Sequence, residues 1–281
     1  MPVDPAVVGC RLPACDYTYT QDDALLYNLA VGAPATDLRL VYENADLAVL
    51  PTFAVVPAFP ALGGIDSVIT FNPMLLLHGE QRIEIHRPIP TAATVRTEPT
   101  VKHLWDKGKA AVVVIEAVST ILGGDADGAA AFTNTSTLFL RGEGGFGGER
   151  GPSGARNVAP ERAADHVVRD TTLAQQAALY RLCGDRNPLH IDPEFAAFAG
   201  FERPILHGLC TFGFVGRAAV TVLCDGDPTR LRAFEGRFAA SVYPGDDIVT
   251  SIWREEENRA VLTAATNGGK VVLEQAAVEF V

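Results

Sequence analysis

The sequence predicts an α+β chain of two similar halves, each an antiparallel sheet wrapped around one helix. Three observations predict this. Four strand-like runs separated by turn residues close each half. A long stretch without a polar face, 205–223, precedes the second set. A glycine-rich segment, 141–165, divides the 281 residues near their middle.

In the first half the strand-like runs are 80–87, 93–104, 110–121 and 129–141. The helix that should precede them is hard to find. Pro51, Pro57, Pro60, Gly63, Gly64 and Pro73 occupy its place, and so many breakers prevent a long packed helix. The divider carries seven glycines between Gly142 and Gly154, which disfavour both helix and strand because glycine loses the most backbone freedom on ordering. The expected units are therefore 1–140, a linker at 141–165, and 166–281.

In the second half, Asp170 or Thr171 is expected to cap a helix running to Leu182, with Gly184 stopping it. Asp192-Pro193-Glu194 starts another, with a capping carboxylate followed by proline in the first turn. Residues 205–223 are apolar almost all round, so that helix should be buried. Strand-like runs follow at 230–242, 246–254, 259–267 and 270–280. Pro244-Gly245, the charged 255–258 stretch and Asn267-Gly268-Gly269 punctuate them. A meander that wraps a buried helix is the hotdog layout. Leu26-Tyr27-x-Leu29 recurs as Leu179-Tyr180-x-Leu182 at an offset of 153, and Pro90 recurs as Pro244 at 154. Two agreeing offsets point to a duplication. The expected architecture is a double hotdog whose N-terminal helix is reduced.

Composition narrows the function. With 48% hydrophobic and 20% charged residues, the chain can build a core, and global disorder is excluded. Its 23 Lys+Arg against 34 Asp+Glu leave a net charge of −11. Such a chain suits neither nucleic acid nor an anionic membrane surface. Cys10, Cys15, Cys183, Cys210 and Cys224 form no CxxC pair. That argues against a disulfide framework or zinc ribbon and for a reducing compartment. No signal peptide and no spanning stretch of about 18 apolar residues is read. The expected location is cytoplasmic.

The chemistry concentrates between Tyr180 and Pro193. Gly184 permits a sharp turn and Pro188 forbids a regular helix. Asp185, Asn187 and His190 thus share one short loop. A carboxylate and an imidazole together can activate a water, one accepting a proton while the other donates. Further on, Gly208 opens the buried helix. The first N–H groups of a helix lack internal partners and lie at its positive end. The Gly208 N–H, unobstructed by a side chain, can receive a developing oxyanion. Alternatives exist for each residue. Asp185 can simply cap a turn. His190, Asp192 and His207 could ligate a metal, but Asp192 is better explained as a helix cap, and no metal is expected. His207 itself reads as a core histidine. The glycine run could cradle a phosphate, yet it lacks the lysine and hydroxyl of a P-loop; a linker is preferred.

The stretch from Ala177 to Phe214 resembles the hydratase 2 motif of MaoC-like (R)-specific enoyl-CoA hydratases. The similarity extends to Leu50-Pro51-Thr52-Phe53, Leu77-His78-Gly79-Glu80, Asp106-Lys107-Gly108, the Gly144–Gly148 run and Val242-Tyr243-Pro244-Gly245. The resemblance implies hydration of trans-2-enoyl-CoA to (3R)-3-hydroxyacyl-CoA in fatty-acid or steroid side-chain metabolism. It implies Asp185 and His190 as the catalytic pair, Asn187 orienting them, and the Gly208 N–H on the thioester oxygen. CoA contacts would fall on His78, Gly79, Lys107, Arg186, Pro188, Leu189 and Phe238. No cofactor beyond the CoA of the substrate is implied; a double hotdog already contains the pseudo-dimer of simpler hotdogs, and the sequence leaves open whether such chains pair further as a homodimer. The reduced N-terminal helix should leave an apolar hollow for a long or bulky acyl tail. A hotdog thioesterase, an acyl-carrier-protein 3-hydroxyacyl dehydratase and a non-catalytic acyl-CoA-binding protein are the competing readings. The Asp–Asn–His loop favours addition or removal of water.

Overall fold

The computed structural model describes residues 3–44 and 46–281. The first half contributes β1 (Cys15–Tyr19), β2 (Leu76–Ile85), β3 (Ala93–Asp106), β4 (Ala110–Leu122) and β5 (Ala130–Arg141). The second contributes β6 (His166–Thr171), β7 (Leu231–Phe238), β8 (Asp247–Glu256), β9 (Arg259–Ala265) and β10 (Val271–Phe280). All ten form one sheet in the order β1-β3-β4-β5-β2-β7-β10-β9-β8-β6. Read outward from the centre, the two halves have the same strand order. Strands β2 and β7 pair antiparallel at the seam, with Gln81 opposite Gly236 and Ile83 opposite Phe234. The molecule is a double hotdog.

Eight strands lie where the alternation of apolar and polar residues places them. The two edge strands, β1 and β6, are not foreseen. Both are short and polar, and ion pairs hold them: Arg96 with Asp16 across β3 and β1, and Arg169 with Asp247 across β6 and β8. One expectation fails here. Asp170 and Thr171 do not cap a helix; they lie in β6, opposite Ile248 and Asp247. Helix α4 instead spans Gln176–Tyr180, with Gln175 at its cap. The Thr171 hydroxyl donates instead to Asp247 of the neighbouring strand, and the Asp170 carboxylate accepts from Arg217.

The remaining helices are α1 (Gln21–Ala30), α2 (Leu38–Val41), α3 (Val55–Leu62), α5 (Pro193–Phe198) and α6 (Gly208–Leu223), with the α4 range as above. Thr20 and Asp23 form a capping box at the start of α1, which satisfies two otherwise orphaned donors. Asp192 caps α5 through the N–H groups of Glu194 and Phe195. Helix α6 begins later than its apolar stretch suggests, because Ile205–His207 is not helical and His207 is the cap. As expected, α6 is buried nearly all round.

The breaker-rich segment corrects a second expectation. It is a continuous helical path made of pieces: a 3-10 turn at Pro51–Ala54, then α3, then a 3-10 stretch at Gly63–Ser67. The prolines hold the α-helical part to 8 residues, but the pieces still pack. Phe53 is fully buried between Tyr19 and Tyr27, with ring centroids 4.9 and 5.4 Å away. The hollow is therefore mostly filled. One core joins both halves: Tyr19, Tyr27 and Phe53 share it with Phe212, Phe214 and Phe234.

The glycine-rich segment carries no helix or strand from 142 to 165, yet it is tied down. The Asp106 carboxylate accepts hydrogen bonds from the N–H groups of Gly108, Gly145 and Gly147, at 2.7, 2.8 and 2.8 Å. Those N–H groups are thereby committed to a carboxylate and are not open to a phosphate. Farther along, Arg156 pairs with Glu80, and Asn157 bonds Glu235 and the Gln275 carbonyl. No helix among the described residues is long and apolar enough to cross a membrane.

The three backbone hydrogen bonds from Gly145, Gly108 and Gly147 lower the pKa of Asp106. A lowered folded pKa adds stability above the unfolded value, and that stability is lost as pH falls through the folded one. Asp106→Asn is expected to lower Tm at neutral pH. The difference from wild type should persist down to the ordinary aspartate value of about 3.9 and shrink only below it. Thermal unfolding across pH checks this; a difference that vanishes between pH 7 and 5 would contradict it.

Candidate active site

Between α4 and α5 the chain turns sharply at Gly184, whose φ is +132, a conformation that side chains disfavour. The loop then holds itself with two short-range bonds. The Asp185 carboxylate accepts from the Asn187 N–H at 3.1 Å, and the Asn187 side chain accepts from the Leu189 N–H at 3.0 Å. These are Asx turns, and they deliver His190 at the end of a single 3-10 turn, Pro188–His190. Asn187 thus caps the turn that carries the imidazole.

His190 is buried, 8% exposed, and its Nδ1 lies 2.9 Å from the Ile205 carbonyl oxygen. A carbonyl can only accept, so Nδ1 carries the proton and Nε2 of the neutral ring keeps a free lone pair. The late start of α6 matters here, since it leaves the Ile205 carbonyl outside the helical ladder. Burial pushes the His190 pKa down, opposed by the Ile205 hydrogen bond and the Asp185 charge. The ring is therefore neutral and able to take a proton.

His207, at the cap of α6, lies against the same loop. Its Nε2 is 3.2 Å from the Asp185 carbonyl oxygen. Its ring stacks on that of His190, with centroids 3.7 Å apart and planes at 29°. Tyr180 is on another side at 4.9 Å. Burial, then the proximity of His190, pushes the His207 pKa down to about 3. One donor atom each from Asp185, His190 and His207 lie within 4.8 Å of one another. His190 Nδ1 and His207 Nε2 serve backbone carbonyls, which leaves the His190 Nε2 and His207 Nδ1 lone pairs facing this trio.

Gly208 is the first residue of α6, where the N–H has no intrahelical partner. A Cβ at this position would lie 3.4 Å from the Phe238 ring, so the glycine keeps that approach open. The Phe238 ring, at the end of β7, is edge-on to His78 of β2 at 5.4 Å. The seam thereby brings together His78, Phe238 and Gly208, three residues distant in sequence. Burial lowers the His78 pKa to about 4, so His78 is a neutral group here. Gly79 faces the Phe139 ring, which leaves no room for a side chain. Lys107 is engaged elsewhere: its Nζ donates to the Pro152 carbonyl at 3.0 Å and sits 5.8 Å from the Trp105 ring centroid. Arg186 and Pro188 are exposed on the Asp185–His190 loop, and Leu189 is half-buried.

Beside Asp185 lies a cavity of about 30 Å³, walled by Tyr17, Val55, Val56, Phe59, Tyr180 and Leu209 among others. A smaller one of about 10 Å³ lies beyond Val55, Phe59 and Leu209, toward Gln81, Asn134 and Ser136. Sequence reasoning misses most of this wall. Tyr17 belongs to an unforeseen strand, and Val55, Val56 and Phe59 sit among the breakers. Tyr180 had a signal: it is the repeat of Tyr27, and the two rings meet at 6.1 Å.

Residues 17–142 match the MFE-2 hydratase 2 N-terminal domain, and residues 156–276 match the MaoC like domain. An enoyl-CoA hydratase of Mycobacterium tuberculosis is 44% identical, with 97% of each chain covered. The chain belongs to the MaoC-like hydratase 2 family. The mouse peroxisomal multifunctional enzyme type 2 is 41% identical over 98% of this chain, which spans 38% of that longer protein. Among solved structures, a MaoC-like dehydratase from Phytophthora capsici superposes with a TM-score of 0.89 at 30% identity, covering 100% of this chain and 98% of that one.

The two stacked imidazoles of this hydratase 2 chain are expected to titrate differently. By imidazole NMR, His190 should carry its proton on Nδ1 and titrate below the free value of about 6.5. His207 should stay neutral until about pH 3. A His207 that protonates before His190 would contradict the assignment.

Proposed function

We propose that the chain hydrates trans-2-enoyl-CoA thioesters to (3R)-3-hydroxyacyl-CoA, reversibly, in fatty-acid or steroid side-chain metabolism. One observation carries the reading. A neutral imidazole with a free Nε2 and a carboxylate share a short loop beside the open N–H at the start of a buried helix.

The chemistry follows from those groups. Conjugation to the thioester leaves C3 electron-poor. Water held between His190 and Asp185 adds its oxygen to C3 while His190 Nε2 takes one of its protons. The carbon–carbon π electrons move toward the thioester oxygen, where the Gly208 N–H stabilises the developing charge. The proton taken by Nε2 passes to the Asp185 carboxylate, from which C2 takes it, so that imidazole and carboxylate both end the turnover as they began. The Ile205 hydrogen bond supports His190 as the base, an assignment that the sequence leaves open.

The CoA contacts in this reading are Gly208, Phe238, His78 and Gly79 along the seam, with Arg186, Pro188 and Leu189 on the loop. Lys107 would exchange the Pro152 carbonyl for a phosphate. The acyl tail enters the cavity beside Asp185. A water needs about 10–15 Å³ of such space, so the cavity holds no more than a few, and a long chain requires α3 to shift. Helix α3, which has no side-chain cap and contains Pro60, is the element that would have to move. The free cysteines fit a reducing compartment.

Crotonyl-CoA and a long-chain enoyl-CoA test the activity. Loss of the conjugated absorbance without free thiol supports hydration; free thiol means a thioesterase, and no change means a binding protein. Asp185→Asn and His190→Gln are each expected to lose at least about 100-fold in kcat, the lower end for acid–base catalysis, with Tm preserved. In wild type, kcat/KM should fall with acid only below the ordinary imidazole value of about 6.5, because burial lowers the His190 pKa. Phe59→Ala should raise kcat/KM for long chains more than for crotonyl-CoA. An equal effect on both would mean the tail does not pass Phe59.

A further inference from the structure

We propose that His207 is a positioning residue for the hydration chemistry: its imidazole ties the Asp185–His190 loop to the helix end that carries the Gly208 N–H. The proposal rests on the hydratase reading above. The residue needs an explanation, because its ring is 1% exposed and its Nδ1 has no partner among the described residues. An orphaned buried polar atom is unfavourable. A phenylalanine would fill similar volume without it, so packing alone does not account for an imidazole.

The geometry supplies what packing does not. The Asp185 carbonyl can only accept, so His207 Nε2 must carry the proton and donate at 3.2 Å. That bond fixes the backbone of the acid. The stack at 3.7 Å fixes the plane of the base. The backbone of His207 runs directly into Gly208, the oxyanion donor. One side chain therefore sets three groups that must meet a single substrate: acid, base and oxyanion donor. His207 also stays uncharged, since burial and the neighbouring ring oppose its protonation. It does not compete for the proton that His190 must take. The role is distinct from the hydrogen bond of Ile205, which sets the His190 tautomer but does not reach Asp185.

Two substitutions separate the parts. His207→Phe keeps a ring for the stack and removes the donor. His207→Gln removes the ring and keeps an amide N–H at the position of Nε2. With crotonyl-CoA, His207→Phe is expected to lose about 10- to 100-fold in kcat, the scale of a small misplacement of reacting groups. KM should change little, and Tm should be maintained. His207→Gln should recover part of the lost kcat. Wild-type kcat in folded His207→Phe would overturn the proposal, as would His207→Gln performing no better. A loss confined to Tm, or failure of both variants to fold, would make His207 a core residue and nothing more. If the wild-type chain fails to hydrate crotonyl-CoA, the hydratase reading fails separately. The clamp is then read from the imidazole NMR of His190, whose resonances should shift and broaden in His207→Phe; unchanged resonances would overturn it.

Discussion

Helix α1 ends inside the molecule, and its last carbonyls would be stranded there without donors from the other half. Gln176 donates to the Ala30 carbonyl at 2.7 Å, the Cys210 thiol lies 3.4 Å from the same oxygen, and Arg217 donates to the Val31 carbonyl at 3.0 Å. Arg217 is itself buried and is neutralised by Asp170 of β6. A helix end needs such partners, and each one left unpaired in the interior would cost about 1–3 kcal/mol. The halves are therefore not two domains resting on one another. Each completes the hydrogen bonding of the other.

This docking fixes α6, and α6 fixes the site. Gly213 and Gly216 let the helix approach the first half closely: a side chain at Gly213 would meet Val31 and the hydroxyl of Tyr27, and one at Gly216 would meet Thr52. With Arg217 pinned beside Gly216 in the middle of the helix, and both glycines seated against the first half, the roll and height of α6 are set. Its N-terminal end presents His207 and Gly208. The placement of the Gly208 N–H thus depends on Gly213, Gly216 and Arg217, which lie five, eight and nine residues along the helix.

The legibility of the molecule follows the reach of its interactions. Local signals read correctly: Asp192 as a cap, the alternation in β2 to β5, the continuous apolar face of α6, and Asp185, Asn187 and His190 on one loop. What failed was long-range. Thr171 offers the same hydroxyl to a helix cap and to Asp247 across a strand, and only the fold decides between them. The breakers at 51–67 do prevent a long helix, but the hollow expected in its place is mostly filled, because short pieces suffice when Phe53 has aromatic walls waiting. Gly145 and Gly147 gave no hint that a carboxylate from another strand would claim their N–H groups. His207 could be read as core because its partners, Asp185 and His190, lie 22 and 17 residues away in sequence.

The matching strand order of the two halves has a further bearing. In a pair of identical chains, every substitution appears twice, once in each copy, so neither copy can specialise without the other. Here the repeats share a chain and each position is free to differ from its counterpart. Three residues after Tyr180 the chain reads Cys183-Gly184-Asp185; three residues after Tyr27 it reads Ala30-Val31-Gly32. One copy of the turn holds a carboxylate beside His190, and the other offers the Ala30 carbonyl to Gln176 and the Val31 carbonyl to Arg217 as a mooring. Within one chain the same corner can therefore be two different parts, one that carries the Asp185 carboxylate and one that holds α6 steady.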